Sequence, residues 1–133
     1  MSEKILLRNR FIQTILKVEA MTWLYDSHIH LSDPYYQSDL DYIIKGMENM
    51  RIKACCVSMD TVTSKKTLEI GKKSKLILPF IGIHPECTND DLELMINLIS
   101  ENQQHISGIG EIGLDPTYVK SIEDNKRQIY FFE

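Results

Sequence analysis

No apolar run in the sequence approaches the roughly 20 residues that a membrane-spanning helix needs, so no membrane partner is expected. There is also no CxxC pair. The three cysteines, Cys55, Cys56 and Cys87, are an odd number, and Cys55 and Cys56 sit side by side within an apolar run. That pattern reads as small buried side chains in a reducing compartment, and a cytoplasmic setting is expected. Cys87 reads as a bystander rather than a ligand or nucleophile. Positive charge is not in excess: 15 Lys and Arg stand against 19 Asp and Glu, a net charge of −4. This argues against broad, non-specific coating of nucleic acid, as does the lack of a basic-aromatic patch of the kind that grips single strands. A local site for an anionic substrate is not excluded, because bound metal ions would add positive charge that a residue count omits. Neither a GxGxxG nor a P-loop follows the first strand-like segment, so nucleotide-binding layouts lose ground. No linker, low-complexity segment or internal repeat interrupts the chain.

What is present suits one soluble globular domain: 133 residues, 43% apolar and 26% charged. Residues 1–20 stand apart. Ile5, Leu6, Leu7, Phe11, Ile12, Ile15 and Leu16 would line one face of a basic amphipathic helix. Glu3 and Glu19 are unusual for a transit peptide, so an upstream extension or a start assigned too early is the preferred reading, with Met21 directly before the first strand. From there strand-like and helix-like segments alternate. Strands are expected at 23–29, 52–59, 76–83 and 106–112, each a short apolar run. The first helical pattern carries Leu40, Ile43, Ile44, Met47 and Met50, with Ser38 and Asp41 as a capping box. A second, weakly amphipathic pattern covers 62–74, its lysines read as a solvated outer face. A third covers 90–103, with Thr88 and Asp91 at its start, and a fourth begins near Ser121 and Asp124. Without hairpin signals, four β/α units imply a parallel sheet, either doubly wound or part of an eight-unit barrel.

Three segments carry chemistry. In Asp26-Ser27-His28-Ile29-His30 the alternation of a strand points Asp26, His28 and His30 to one side. Two imidazoles so spaced can bind one metal, with Asp26 orienting a ligand histidine or ligating directly. An HxH pair alone is weak evidence. Its place at the end of an apolar strand strengthens it, since such groups are costly to bury unpartnered. In Gly82-Ile83-His84-Pro85, His84 can contact a phosphate, move a proton, or merely cap the turn that Pro85 sets. In Gly108-Ile109-Gly110-Glu111-Ile112-Gly113-Leu114-Asp115, glycines within a strand suggest close approach by a ligand, a metal cluster or neighbouring backbone. Glu111, between isoleucines, should be largely buried and so needs a cation or hydrogen bonds. Bridging two metal ions would satisfy it, as would an internal ion pair. Asp115 reads equally well as a site residue and as a turn or helix cap.

In this order, DSHIHL, GIHP and GEIGLD on the first, third and fourth strands resemble the TatD-like metal-dependent deoxyribonucleases of the amidohydrolase superfamily. The resemblance runs from about Met21 to the end, and Gln128 to Phe132 is similar to the helix that follows GEIGLD in that family. It implies a (β/α)8 barrel of TIM type with one or two divalent ions, and hydrolysis of phosphodiester bonds in DNA. It casts His28, His30 and Glu111 as metal ligands, Glu111 and His84 as catalytic, and Asp26, with Asp115, as supporting or substrate-facing. The family is described as magnesium-dependent, whereas histidine ligands favour zinc, manganese or iron, so the ion stays open.

Further ligands in that family, two histidines and an aspartate on later strands, have no counterpart here. A closed barrel also takes about 250 residues. Residues 21–133 therefore read as the N-terminal half of a barrel, a fragment whose open sheet edges invite self-association and whose own turnover should be negligible. Two other readings stand beside the nuclease. One is an amidohydrolase acting on a C–N or ester bond, for example on aminoacyl-tRNA. The other is a non-catalytic half-barrel that assembles with another chain.

Overall fold

The computed structural model describes residues 23–133. The expected amphipathic segment 1–20 lies outside the described residues. Four strands, β1 (Leu24–Ile29), β2 (Ile52–Val57), β3 (Ile77–Ile81) and β4 (Gly108–Ile109), alternate with helices α1 (Leu40–Met50), α2 (Thr61–Lys73), α3 (Leu92–Glu101) and α4 (Ile122–Phe132). All neighbouring strands pair in parallel, in the order β1-β2-β3-β4. A doubly wound sheet reverses its strand order part-way across; this one never does. Successive right-handed crossovers then place every helix on one face, which is the first half of a (β/α) barrel.

The core lies between that face and the first two helices. Leu31, Leu40, Met47, Ala54, Cys56, Ile70 and Ile77 are buried together, with Ile43, Ile44 and Ile52 packed at the margin. The apolar stripe read for α1 thus faces the sheet, though Met50 is exposed at its end. The weak amphipathicity of α2 has a physical cause. Its buried face includes Thr61, Ser64 and Thr67, and these polar groups find partners within the fold. Ser64 Oγ meets Ser58 Oγ at 2.6 Å, and Thr67 Oγ1 lies 3.9 Å from the Cys56 thiol. Cys56 is fully buried, which pushes its thiol pKa up, while Cys55 is only half-buried. Of the five lysines at 65–75, all but Lys66 are exposed; Lys66 pairs with Glu69 within the helix, and Lys73 reaches Asp41 on α1.

Helix starts separate the correct cap readings from the incorrect one. Asp91 accepts from Leu94 N at 2.9 Å and Ser121 Oγ from Asp124 N at 3.1 Å, as expected of caps. The Ser38–Asp41 capping box does not form. The N-cap of α1 is Asp39, which makes no side-chain cap bond, and Asp41 reaches Lys73 instead. A capping box forms at α2, where Asp60 and Thr63 satisfy each other's backbone N–H.

The second and third strands end earlier than the apolar runs suggest, and the fourth is the shortest of all. Of the expected 106–112 only Gly108–Ile109 is strand. Beyond those ends the backbone bonds continue, but between strand termini: Ser58 N to Phe80 O at 3.2 Å, His84 N to Met59 O at 2.8 Å, and Glu111 N to Ser58 O at 3.0 Å. Trp23, Leu24, Tyr25, Ile109, Ile112 and Leu114 are all exposed. Among the described residues, no helix is long and apolar enough to cross a membrane.

One polar tie joins distant parts of the chain and is sensitive to acid. Asp90 accepts from Thr61 N at 2.5 Å and from the Thr61 hydroxyl at 2.6 Å, linking the β3–α3 loop to the start of α2. Burial acts to raise the Asp90 pKa, but the two bonds from Thr61 outweigh it and the net shift is downward. Its contribution is therefore complete above the unfolded aspartate value of about 3.9 and is lost as pH falls through the lowered folded value. Asp90→Asn should cost about 1 kcal/mol at neutral pH, modest because water still reaches the carboxylate. The difference from wild type should shrink toward zero as pH falls through the lowered folded value. Urea unfolding of both proteins across this range checks it.

Candidate metal centre

At the C-terminal ends of the strands three side chains from β1 and the segment after β4 converge. His28 Nε2 lies 3.1 Å from His30 Nε2. Glu111 places Oε1 3.3 Å from His28 Nε2 and Oε2 3.7 Å from His30 Nε2. One ligand atom from each of the three fits within a span of 4.8 Å. The imidazole rings meet edge to face, with centroids 4.9 Å apart. Two nitrogens bound at about 2.0–2.1 Å to one ion, at octahedral to tetrahedral angles, stand about 2.8–3.4 Å apart. The histidine pair already has that spacing, so a first-row divalent ion fits this donor set with little rearrangement.

The proximity of Glu111 to β1 needs explaining, because β4 is three strands away. After Ile109 the chain leaves the sheet edge and turns inward. Gly110 N donates to Ile81 O at 3.0 Å, and Glu111 N reaches Ser58 O, beyond the end of β2. On the way it passes directly over Gly82. A Cβ on Gly82 would lie 2.6 Å from the Glu111 carbonyl oxygen and 3.0 Å from the Gly110 carbonyl carbon. Gly82, noted in the sequence only as part of GIHP, is thus the residue over which the Glu111 backbone crosses. Gly108 answers to close packing of another kind: a Cβ there would strike the Phe80 ring. Gly113 has open space around it, and nothing in the structure explains it.

The remaining sequence-selected residues occupy distinct places. Asp26 does not reach a histidine ring. Its Oδ1 accepts from the backbone N–H of His28 at 3.0 Å, so it braces the strand that carries the pair. His84 lines a recess of about 440 Å³ together with His28, Glu111 and Asp115, without joining the three-residue cluster. His84 Nδ1 accepts from Glu86 N at 3.1 Å, so His84 does cap the Pro85–Cys87 turn. The same bond leaves the proton of a neutral imidazole on Nε2. Asp115 also caps a turn, accepting from Thr117 Oγ1 at 2.6 Å and Thr117 N at 2.8 Å. Those bonds, with a smaller contribution from His84, hold its carboxyl below the usual aspartate range. Glu111 is only half-buried, with a side chain 23% exposed, rather than largely buried. Its flanking isoleucines do not enclose it, since Ile109 and Ile112 are themselves exposed. The His28 side chain is 51% exposed. Burial pushes the Cys87 thiol pKa up, reinforced by the carboxylates of Asp60, Glu86, Asp90 and Glu111, so it remains a poor ligand.

Four parallel β/α units, with a His-His-Glu cluster at the strand ends, form the first half of a (β/α) barrel. Residues 25–133 match the family described as TatD related DNase, and the chain belongs to that family. It is 29% identical over 110 residues to an uncharacterized metal-dependent hydrolase, YabD, of Bacillus subtilis, covering 80% of this chain and 43% of that protein. It is 26% identical over 119 residues to the human deoxyribonuclease TATDN3, covering 79% of this chain and 43% of that protein. A third relative, the uncharacterized metal-dependent hydrolase MG009 of Mycoplasma genitalium, is 34% identical over 119 residues, covering 82% and 43%. The chain thus spans less than half the length of these curated relatives.

The crossing over Gly82 yields a sharp expectation. Gly82→Ala should destabilise the fold by about 1–3 kcal/mol, because the clash is with backbone that cannot rotate away. It should also separate Glu111 from the histidines. Thermal unfolding reads the first effect, and the shift of the His28 and His30 ring resonances on adding Zn²⁺, weakened at least tenfold in apparent affinity, reads the second.

Proposed function

We propose that this chain carries the first part of the catalytic centre of a metal-dependent phosphodiesterase acting on DNA. The convergence of His28, His30 and Glu111 at ligand spacing supports the reading most directly. His28, His30 and Glu111 would hold a divalent ion, of magnesium, manganese or zinc, or two such ions with Glu111 shared. When bound, such an ion supplies Lewis acidity toward a phosphoryl oxygen and makes water acidic enough to attack at neutral pH. The protein's own groups complete the arrangement. Asp26 keeps the two imidazoles in register through the His28 N–H. His84, with its proton on Nε2, offers a hydrogen-bond donor to a phosphate oxygen in the recess. Asp115, kept anionic, caps the turn that forms the recess wall.

DNA as substrate draws on the family, TatD related DNase, and on the human relative being a deoxyribonuclease. The chain's own charge of −4 offers no general attraction for nucleic acid. Binding would therefore rest on the ion and on His84 and depend only weakly on salt.

A chimera tests the proposal: residues 23–133 replacing the matching segment of human TATDN3. Cleavage of DNA is expected with Mn²⁺ or Mg²⁺ and none after chelation. Glu111→Gln and His30→Ala should each lower kcat on the order of a hundredfold or more. A folded, metal-loaded chimera that leaves DNA intact but cleaves an ester or amide would refute the phosphodiesterase reading. Unchanged metal affinity in both variants would refute the site itself.

A further inference from the structure

The proposed chemistry makes no use of Gln128, yet this is the only buried residue of α4 and is just 3% exposed. Elsewhere on the helix Ile122, Tyr130 and Phe132 are all more than half exposed. Its carboxamide is fully engaged. Oε1 accepts from Asp115 N at 3.0 Å, while Nε2 donates to Asp115 O at 3.0 Å and to Pro85 O at 3.1 Å. One side chain therefore grips the backbone of Asp115 on both its donor and its acceptor, and fastens it to the residue after His84.

These two attachment points are the two walls of the recess beside the metal centre. Pro85 opens the turn that His84 caps; Asp115 opens the turn that presents Tyr118. The walls also touch, with the Tyr118 ring edge-on to His84 at 5.5 Å between centroids. No backbone hydrogen bond joins the segment 85–90 to the segment 115–119 among those of the described residues. The Gln128 carboxamide takes the place of a backbone pairing. Its two N–H donors and one acceptor match the pattern of carbonyls and amide presented to it, which neither a carboxylate nor an apolar side chain can do. Because the amide is buried, each lost bond would leave a backbone group unsatisfied.

We infer that Gln128 is a positioning residue: it sets the separation of the two loops, and through them places the His84 Nε2 donor against a substrate phosphate. This role rests on the phosphodiesterase reading of the site. It assigns Gln128 no part in holding the ion, whose ligands lie on β1 and on the chain that crosses Gly82.

Gln128→Met keeps the side-chain length and removes all three hydrogen bonds. Expected is faster hydrogen exchange at the Asp115 N–H and loss of the His84–Tyr118 ring contact in NMR spectra. Mn²⁺ affinity should stay within about twofold of wild type. In the chimera, kcat for DNA should fall at least tenfold with the metal requirement unchanged. Equal losses of Mn²⁺ affinity and kcat would make Gln128 merely structural, and an unchanged His84–Tyr118 contact with unchanged kcat would overturn the inference. If Gln128→Met does not fold, wild type decides: both Gln128 carboxamide protons should exchange far more slowly than those of exposed glutamines. Exchange at the exposed rate would overturn the clasp. A chimera inert toward DNA while the NMR results hold would remove the phosphodiesterase reading and leave the clasp standing.

Discussion

The site depends on one close approach of backbone to backbone. Neighbouring strands are about 4.8 Å apart, so in a flat sheet three steps would put β4 some 14 Å from β1, beyond the reach of any glutamate. The chain instead abandons the β4 edge after two residues and crosses the end of β3 to hydrogen-bond Ser58. Only a residue without a side chain leaves room for that crossing, and Gly82 is that residue. The shortness of β4, the half-burial of Glu111 and its meeting with the two histidines all follow from it.

The end of β2 contributes no side chain to the metal cluster, yet it anchors both later strands' functional residues. The Ser58 carbonyl receives Glu111 and the Met59 carbonyl receives His84. Ser58 is itself fully buried and fixed by Ser64 and by the Phe80 carbonyl. Small polar residues on α2 thus hold the platform on which the site is built. An apolar contact would have buried similar area but would not have fixed direction, which hydrogen bonds do.

Much of this was open to reading from residue types and spacing. The four strands and four helices lie where the apolar runs and periodicities put them, and Asp91 and Ser121 cap as their side chains suggest. His28 and His30 share a side of β1 because strand geometry allows nothing else. The misreadings arose where local and distant partners compete. Asp41 looked like part of a cap but is drawn to Lys73 on another helix. The 106–112 run is apolar enough for a full strand, but its last part leaves the sheet. Gln128 is legible in the sequence only as the start of the stretch that resembles the helix after GEIGLD, because one glutamine on an exposed helix carries no local signal of the two loops that it joins.

The sequence by itself determined the alternation of strands and helices, the placing of imidazoles and carboxylate at strand ends, and membership of the family, because these rest on local periodicity and on motif order. The tertiary structure alone decided that Glu111 reaches the histidines by crossing Gly82, and that Gln128 ties two loops together. Each of these is a contact between segments far apart in the chain. Its energy lies in complementary shape and in hydrogen bonds that exist only once both segments are in place, so no single stretch of residues encodes it.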